Sequence, residues 1–288
     1  MIKSQPLREV DDHRLNEEKF TLKWRHVGAD GAKSLVRQNM NVNTFELPYN
    51  QFGVVATLEL ESAPEGNVTA WQRFLPTGPV ALLPLNDTHS SLVWSTTIDE
   101  AKKLLKMTPD EFVQELNEAY VKNYKTDDTL TSTLNTLKNC ITPQSFEKKQ
   151  NPPKVKAVLE SSRAAFPLGF SHASAYVKTG VCLVGDAAHR IHPLAGQGVN
   201  LGFGDVKCLV SVLEDATSNG AMLGDLGYLL KYERERLTQN VPIMLGTHGI
   251  QKLYNTDFAP VVALRSLGLQ VTQSIPLLKK LFMDRAMY

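Results

Sequence analysis

The stretch with the most chemistry runs from Gly185 to Asp205. It reads Gly185-Asp186-Ala187-Ala188-His189, then Pro193, then Gly196-Gln197-Gly198-Val199-Asn200, then Gly202 and Asp205. A carboxylate at the end of a strand, such as Asp186, accepts hydrogen bonds from sugar hydroxyls. Two glycines flanking Gln197 let a ligand approach the backbone with no Cβ in the way. The residues after Gly198 read as a helix start, whose free N–H groups and positive dipole end point at that ligand. The combination favours a ligand atom that becomes negative, and the N1–C2=O edge of a reduced flavin is one candidate. A Gly-Asp turn alone, or a G-x-G before a helix, is common; the ordered run is what carries specificity.

A second turn, Gly28-Ala29-Asp30-Gly31, lies far upstream and is followed by Ser34-Leu35-Val36-Arg37, which starts a short helix. His189 and His192 flank the glycine loop. Their expected roles are structural, His189 orienting the loop and His192 packing beside Pro193. Cys182, on an apolar strand, reads as core and not as a nucleophile.

The elements that must hold these residues follow from pattern. Residues 20–27 read as a strand running into the Asp30 turn, and residues 181–184 as a short apolar strand ending at Gly185-Asp186. Between them, Gly53–Glu61, Thr69–Leu75, Val80–Leu85 and Ser91–Thr97 alternate as strands separated by tight turns, which predicts an antiparallel sheet. Two helices follow. The second is announced by Thr108 as N-cap, Pro109 at the first helical position and Glu111 completing a capping box. Phe112, Leu116 and Tyr120 then recur at helical spacing, extended by Tyr124. Residues 126–135 and 148–153 read as loops, and 155–160 and 174–178 as extended. Helices are predicted at 199–215, 226–238, 243–254, 259–269 and 274–287.

Composition narrows the class of protein. The chain has 288 residues, 31 basic and 30 acidic side chains and a net charge of +1, so nothing electrostatic points to nucleic acid. Its three cysteines are odd in number and widely separated, which suits a reducing compartment, and no metal-ligand spacing is visible. The uncharged gap between Arg265 and Lys279 is too short to span a bilayer. The first residues are too acidic for a good transit peptide and lack the apolar run of a signal peptide, so any organelle address is expected upstream of Met1 or absent. Leu277, Leu278, Leu281 and Phe282 beside Lys279, Lys280 and Arg285 suit either a basic amphipathic helix lying on a membrane or an ordinary packed C-terminal helix.

The run from Gly185 to Asp205 resembles the third FAD motif of the class A flavoprotein monooxygenases. Gly28-Ala29-Asp30-Gly31-x-x-Ser34-x-Val36-Arg37 resembles their second motif. Arg163-x-x-Phe166-Pro167-Leu168, Tyr176, Ile191-His192-Pro193-Leu194-Ala195 and Tyr232-Glu233-x-x-Arg236 narrow the resemblance to the ubiquinone-biosynthesis (UbiH-like) hydroxylases, on their eukaryotic mitochondrial, ring C5-hydroxylating side. The likeness begins near Lys19. The family's first motif, G-x-G-x-x-G after a strand, does not occur, nor does its ribose-binding acid, and Lys23-Trp24-Arg25-His26-Val27 is more polar than the family's corresponding strand.

The resemblance implies an α/β (α+β) fold: a partial, glutathione-reductase-like FAD-binding domain lacking its first βαβ unit, an inserted antiparallel substrate sheet and a helical C-terminus. Expected divisions are 1–45 and 161–215 for the FAD segments, 46–160 for the substrate sheet with its two helices, and 216–288 for the helical end. FAD is the implied cofactor. Asp186 would meet the ribityl chain, Pro193 and Gly196, Gln197, Gly198, Val199 and Asn200 the isoalloxazine ring, and Asp30 and Gly31 the pyrophosphate side, with access for the reductant. Arg163 would lie near flavin or substrate, or else form a surface ion pair. The implied reaction is hydroxylation of a polyprenylated phenol by O2 through a flavin C4a-hydroperoxide. Ferredoxin and its reductase would be electron donors, and other ubiquinone-biosynthesis proteins partners, on the matrix side of the mitochondrial inner membrane. Alternatives are an NAD(P)H-dependent hydroxylase of a soluble aromatic, and a truncated, non-catalytic isoform or fragment. In the family fold, the missing first strand is expected between the strands ending at Asp30 and Asp186, so this span alone is expected to be colourless and poorly soluble.

Overall fold

Alternating burial builds the larger sheet. The computed structural model describes residues 26–61, 66–122 and 151–256, with scattered positions from 258 to 283. Within it, β1 spans His26–Gly28, α1 Leu35–Asn39, β2 Thr44–Leu60, β3 Trp71–Leu75, β4 Gly78–Pro84 and β5 His89–Thr97. Every second residue at the end of β2 (Val54, Ala56, Leu58 and Leu60) is buried, as the period of two requires of a sheet with one covered face. The cover is α2 (Ile98–Lys106) and α3 (Pro109–Val121), whose Ala101, Leu104, Phe112 and Leu116 complete one apolar core with Val80, Leu82, Leu92 and Trp94. The Thr108 capping box forms as the sequence predicts, with the Thr108 hydroxyl accepting from the Glu111 amide and the Glu111 carboxylate accepting from Thr108 N–H at 2.9 Å.

The chain then returns through β6 (Val155–Val158) and β7 (Ala164–Ala173). The large sheet has the order β10-β7-β2-β5-β4-β3, with β6 also on β2, and all its pairings are antiparallel. β10 is the short strand His189–Arg190. The sheet therefore takes in residues that the sequence assigns to the second FAD segment. β2 is also longer than Gly53–Glu61: it passes through Pro48 and Asn50, the latter at φ 54°, with a register shift against β7 between Pro48 and Phe52. Such an irregularity bends a strand without ending it.

A smaller sheet has the order β1-β9-β8, from β8 (Val177–Lys178) and β9 (Val181–Leu183). Here the expected missing neighbour is corrected. β1 and β9 pair directly and in parallel, with His26 opposite Val181 and Gly28 opposite Leu183, so the strands that lead to the turns at Asp30 and Asp186 leave no gap between them. The close fit is possible because Gly28 has no side chain: a Cβ there would come within 2.7 Å of Leu183 and 2.9 Å of Val36.

Two long helices follow, α4 (Gly198–Ser218) and α5 (Leu226–Tyr254). The predicted helices at 226–238 and 243–254 are one, running through Pro242. Its buried residues, Leu229, Tyr232, Arg236, Asn240, Met244, Thr247 and Gln251, continue one stripe across the proline at steps of three and four. Residues 20–25 of the first predicted strand, Tyr124, the loop at 126–135, residues 148–150 and much of the predicted helices at 259–269 and 274–287, including Leu278, Leu281, Phe282 and Arg285 of the basic amphipathic stripe, lie outside the described residues. Among the described residues no helix is long and apolar enough to cross a membrane, and no His/Cys/Asp/Glu group has the makings of a metal site.

Candidate functional site

Two turns meet where β1 and β9 end. After β9, Gly185 takes φ 59° and opens a short 3-10 turn over Gly185–Ala187, with the exposed Asp186 in it. Gly185 and Gly202 nearly touch, since a Cβ on Gly202 would lie 3.6 Å from the Gly185 Cα. This pair brings the first turn of α4 against the strand end. A second 3-10 turn, Pro193–Ala195, is capped by His192, whose Nδ1 accepts from Leu194 N–H at 3.1 Å. Gly196 follows at φ 60°, in the left-handed region that its lack of a side chain permits.

Gln197 provides no side-chain cap for α4, and the Leu201 amide donates to the Gln197 carbonyl at 2.9 Å. The amides of Gly198, Val199 and Asn200 therefore stand ahead of the helical ladder, at the positive end of a helix of 21 residues. A Cβ added at Gly31, Gly196 or Gly198 would meet nothing within 4 Å, so each faces open space. The Gly185–Gly202 approach thus sets the leading amides of α4 near the turn that carries the exposed Asp186.

The Asp30 turn differs from expectation in what its carboxylate does. Asp30 Oδ2 accepts from the amides of Leu35 (2.7 Å) and Val36 (3.2 Å), so it caps α1. Burial acts to raise this carboxyl, but hydrogen bonds from Ser34 and from the Val36 and Leu35 amides outweigh it and hold it below the usual carboxylate range. Arg37, buried in α1, joins the two turns. Its guanidinium donates to the carbonyls of Ala187 (2.7 Å) and Ala32 (2.6 Å), groups 150 and 5 residues away in sequence.

The group that fixes the whole constellation is Asp205, which the sequence marks only as the end of a motif. It is fully buried on α4. Oδ2 accepts from His189 Nε2 (2.6 Å) and the Gly185 amide (2.9 Å), and Oδ1 from Arg236 Nε (2.7 Å) and Asn240 Nδ2 (3.1 Å). Burial would raise this carboxyl. The hydrogen bond and charge of His189, with the Gly185 and Asn240 bonds, override that and hold it low. His189 thus orients the loop, as expected. Tyr232 and Glu233 act likewise from α5: the Tyr232 hydroxyl donates to the Leu183 carbonyl at 2.7 Å, and Glu233 accepts from the Tyr176 amide at 2.5 Å. Cys182 is core, its thiol pushed up to about 11 by burial.

His192 is more than packing beside Pro193. It is fully buried, its Nε2 has no hydrogen-bond partner, and burial pushes its pKa down to about 4. Its ring meets Tyr49 edge-on at 5.0 Å, and the Tyr49 hydroxyl lies 3.0 Å from His248 Nδ1. Arg163 sits elsewhere. Its guanidinium donates to the Leu104 (3.2 Å) and Met107 (2.8 Å) carbonyls at the end of α2 and lies over the Phe112 ring. This is a helix cap, neither a surface ion pair nor part of the glycine loop.

Known proteins resemble this chain in sequence and in fold. Residues 8–147 and 144–241 match the family described as FAD binding domain. The chain is 56% identical over 262 residues to a protein of Drosophila melanogaster named ubiquinone biosynthesis monooxygenase COQ6, mitochondrial, covering 91% of this chain and 55% of that one. The human protein of the same name is 46% identical over 260 residues, covering 89% and 55%. The chain thus spans about half the length of the curated relatives it matches. Among solved structures, p-nitrophenol 4-monooxygenase PnpA from Pseudomonas putida DLL-E4 superposes with a TM-score of 0.62 at 16% identity, over 92% of this chain and 59% of that one. That likeness is one of fold, a mixed α/β architecture shared with flavin-dependent monooxygenases.

Proposed function

Since this chain belongs to the FAD binding domain family, we propose that it forms the flavin-edge and substrate-sheet part of an FAD-dependent monooxygenase that hydroxylates the aromatic ring of a polyprenylated phenol in ubiquinone biosynthesis. The observation that carries the reading is that Arg37 ties the Asp30 turn to the Asp186 turn, while the Gly185–Gly202 approach brings the start of α4, with its leading amides, to the same turn. Bound FAD would supply the activation of O2 with electrons from an external donor. The protein's share is to hold and orient. Asp186 accepts from ribityl hydroxyls. The amides of Gly198, Val199 and Asn200 face the electron-rich pyrimidine edge, beside Gln197 and Pro193. Asp30 and Gly31 border the pyrophosphate side, Asp30 through its cap on α1. Because Asp205 and Arg37 already fix both turns, these donors are in place before the ligand arrives, which is the condition for effective electrostatic stabilisation. Arg163 has no part in this reading.

The parallel pairing of β1 with β9 supports a glutathione-reductase-like sheet. The outer edge of β1 carries no strand among the described residues and is where the first βαβ unit of such a domain would add. By the names of the relatives, the setting is the mitochondrion. We extend this to the matrix face of the inner membrane, with ferredoxin and its reductase as donors and other ubiquinone-biosynthesis proteins as neighbours.

In the full-length protein, with the first FAD segment present, FAD titration followed by flavin fluorescence tests the site directly. Asp186→Ala removes a charged acceptor, and hydrogen bonds to charged groups contribute ~1.5–3 kcal/mol, so affinity should fall roughly tenfold to a hundredfold. Equal FAD retention by both proteins after exhaustive dialysis would remove Asp186 from the site.

A further inference from the structure

His192 leads the turn into the glycine loop, and its ring is oriented in a way that packing alone does not require. The next residue, Pro193, has no N–H to give. Leu194 N–H donates to His192 Nδ1 at 3.1 Å, and Gly196 N–H closes the turn on the Pro193 carbonyl at 2.9 Å. A backbone amide can only donate, so Nδ1 carries no proton and the neutral ring holds its proton on Nε2. That Nε2–H is buried and has no hydrogen-bond partner. An unpaired buried donor is costly. Turning the ring over would exchange Nδ1 for a carbon and strand the Leu194 amide as well. The observed pose keeps the bond that shapes the turn and leaves the unpaired atom on the far side of the ring.

The ring is backed from other elements. Tyr49, buried on β2, meets it edge-on with centroids 5.0 Å apart. The Tyr49 hydroxyl lies 3.0 Å from Nδ1 of His248 on α5, and Phe170 of β7 meets the His248 ring edge-on at 5.7 Å. Burial pushes the Tyr49 hydroxyl up to about 12, so it keeps its proton and can donate to His248 or accept from it. That contact survives a change of charge on His248. The His192 bond has no such freedom, because a proton on Nδ1 would face the Leu194 N–H. Burial disfavours that proton and pushes His192 down to about 4.

We propose that His192 is a positioning residue for the bound flavin: presented Nδ1-first to Leu194 and backed by Tyr49, its ring sets the pose in which Gly196–Asn200 receive the isoalloxazine edge. The proposal rests on the flavin reading above. His192 acts through the turn and not on the flavin directly. Two things are asked of residue 192: an acceptor for the amide two residues on, and bulk against Tyr49. An asparagine supplies the acceptor, since its side-chain oxygen reaches that amide in an Asx-turn. A leucine supplies the bulk alone.

The test uses the full-length protein, with the first FAD segment present, as wild type, His192→Leu and His192→Asn. Urea denaturation ranks their stability, and FAD is titrated by flavin fluorescence under conditions where all three are folded. His192→Leu should bind FAD about tenfold more weakly, the effect of roughly one hydrogen bond. His192→Asn leaves a cavity against Tyr49 and should be the less stable variant, yet restore most of the FAD affinity. A purely structural role predicts the opposite, with affinity following stability. Wild-type affinity in His192→Leu overturns the proposal, and so does equal weakening in both variants. Nitrogen-15 histidine NMR gives a measurement independent of affinity. The signal missing from His192→Leu should show the Nε2–H form in the wild-type protein at about pH 7 and still at about pH 5; a proton on Nδ1 overturns the proposal. Asp186→Ala in the same titration keeps the two readings apart. Unchanged affinity there, with His192→Leu weakened, sinks the flavin reading of the Asp186 turn alone; the converse sinks the role of His192 alone.

Discussion

Phe112 and Asp205 are both fully buried, but in opposite kinds of surroundings. Phe112 sits among valine, leucine, alanine and tryptophan side chains under the large antiparallel sheet. Asp205 is enclosed by His189, Arg236, Asn240 and the Gly185 amide, next to the end of β9 in the small sheet. The first environment holds a scaffold together through apolar burial that needs no particular orientation. The second buries charge, which contributes little net stability and is costly to leave incomplete, yet it fixes the direction of each group. Position around the glycine loop is thus secured by polar atoms, and the platform next to it by apolar ones.

The most severe test of that contrast removes one partner from each. Asp205→Ala strands the buried Arg236 guanidinium and should cost ~3–5 kcal/mol in urea denaturation. Phe112→Ala should cost a similar ~3–5 kcal/mol by leaving a cavity. Only the first should also weaken FAD in the full-length protein, in conditions where both variants remain folded. If Phe112→Ala weakened it equally, the division between platform and loop would fail.

A smaller effect comes from pH. His192 titrates near 6.5 when unfolded and at about 4 in the folded chain, because burial disfavours its charged form. The unfolded chain therefore takes up the proton first. Stability from this group is intact above pH 6.5 and declines as pH falls toward 4, by roughly 3 kcal/mol at the limit. His172, also depressed by burial and by the charge of His189, adds in the same direction. The low Asp205 carboxyl acts only at lower pH, below its ordinary value of 3.8. His192→Gln should flatten the upper part of the curve in denaturant titrations run at several pH values; an unaltered slope would place the titrating group elsewhere.

The smallest change belongs to the platform alone. Thr108→Ala breaks the capping box of α3 and should cost ~1 kcal/mol in thermal melts. FAD affinity should not move, and a parallel loss would show that the two regions are coupled more tightly than their contacts suggest.

Much of this was legible in the sequence where one physical rule acts locally. The capping box at Thr108, the alternation along β2, the turn at Gly185-Asp186 and the start of α4 all follow from short-range pattern. Legibility failed where tertiary contacts override such patterns. Pro242 signals a helix break, yet the stripe of α5 continues past it, because most of its buried positions are polar: Arg236, Asn240, Thr247 and Gln251. A hydrophobicity pattern does not see a polar buried face. The roles of Arg37 and Asp30 were hidden for a related reason: a charged side chain near a turn looks solvated or ligand-facing until the carbonyls and amides it serves are brought to it. Asp205 had a sequence signal, its position on the helix that Gly198 opens, but its partners on α5 lie beyond any local window.

The direct pairing of β1 with β9 also has a temporal side. The two strands are separated by all of the large sheet except β10, and closing a loop of that length costs entropy before any contact repays it. As the chain is synthesised, the Asp30 turn emerges early and must wait for residues 181–183 before it gains its neighbour, and for Arg236 before the loop below it is fastened. The antiparallel platform can assemble during that interval from pairings close in sequence. The joining of the two turns is in this sense a late step, and pairing of β1 with β9 during refolding reports that the small sheet has closed.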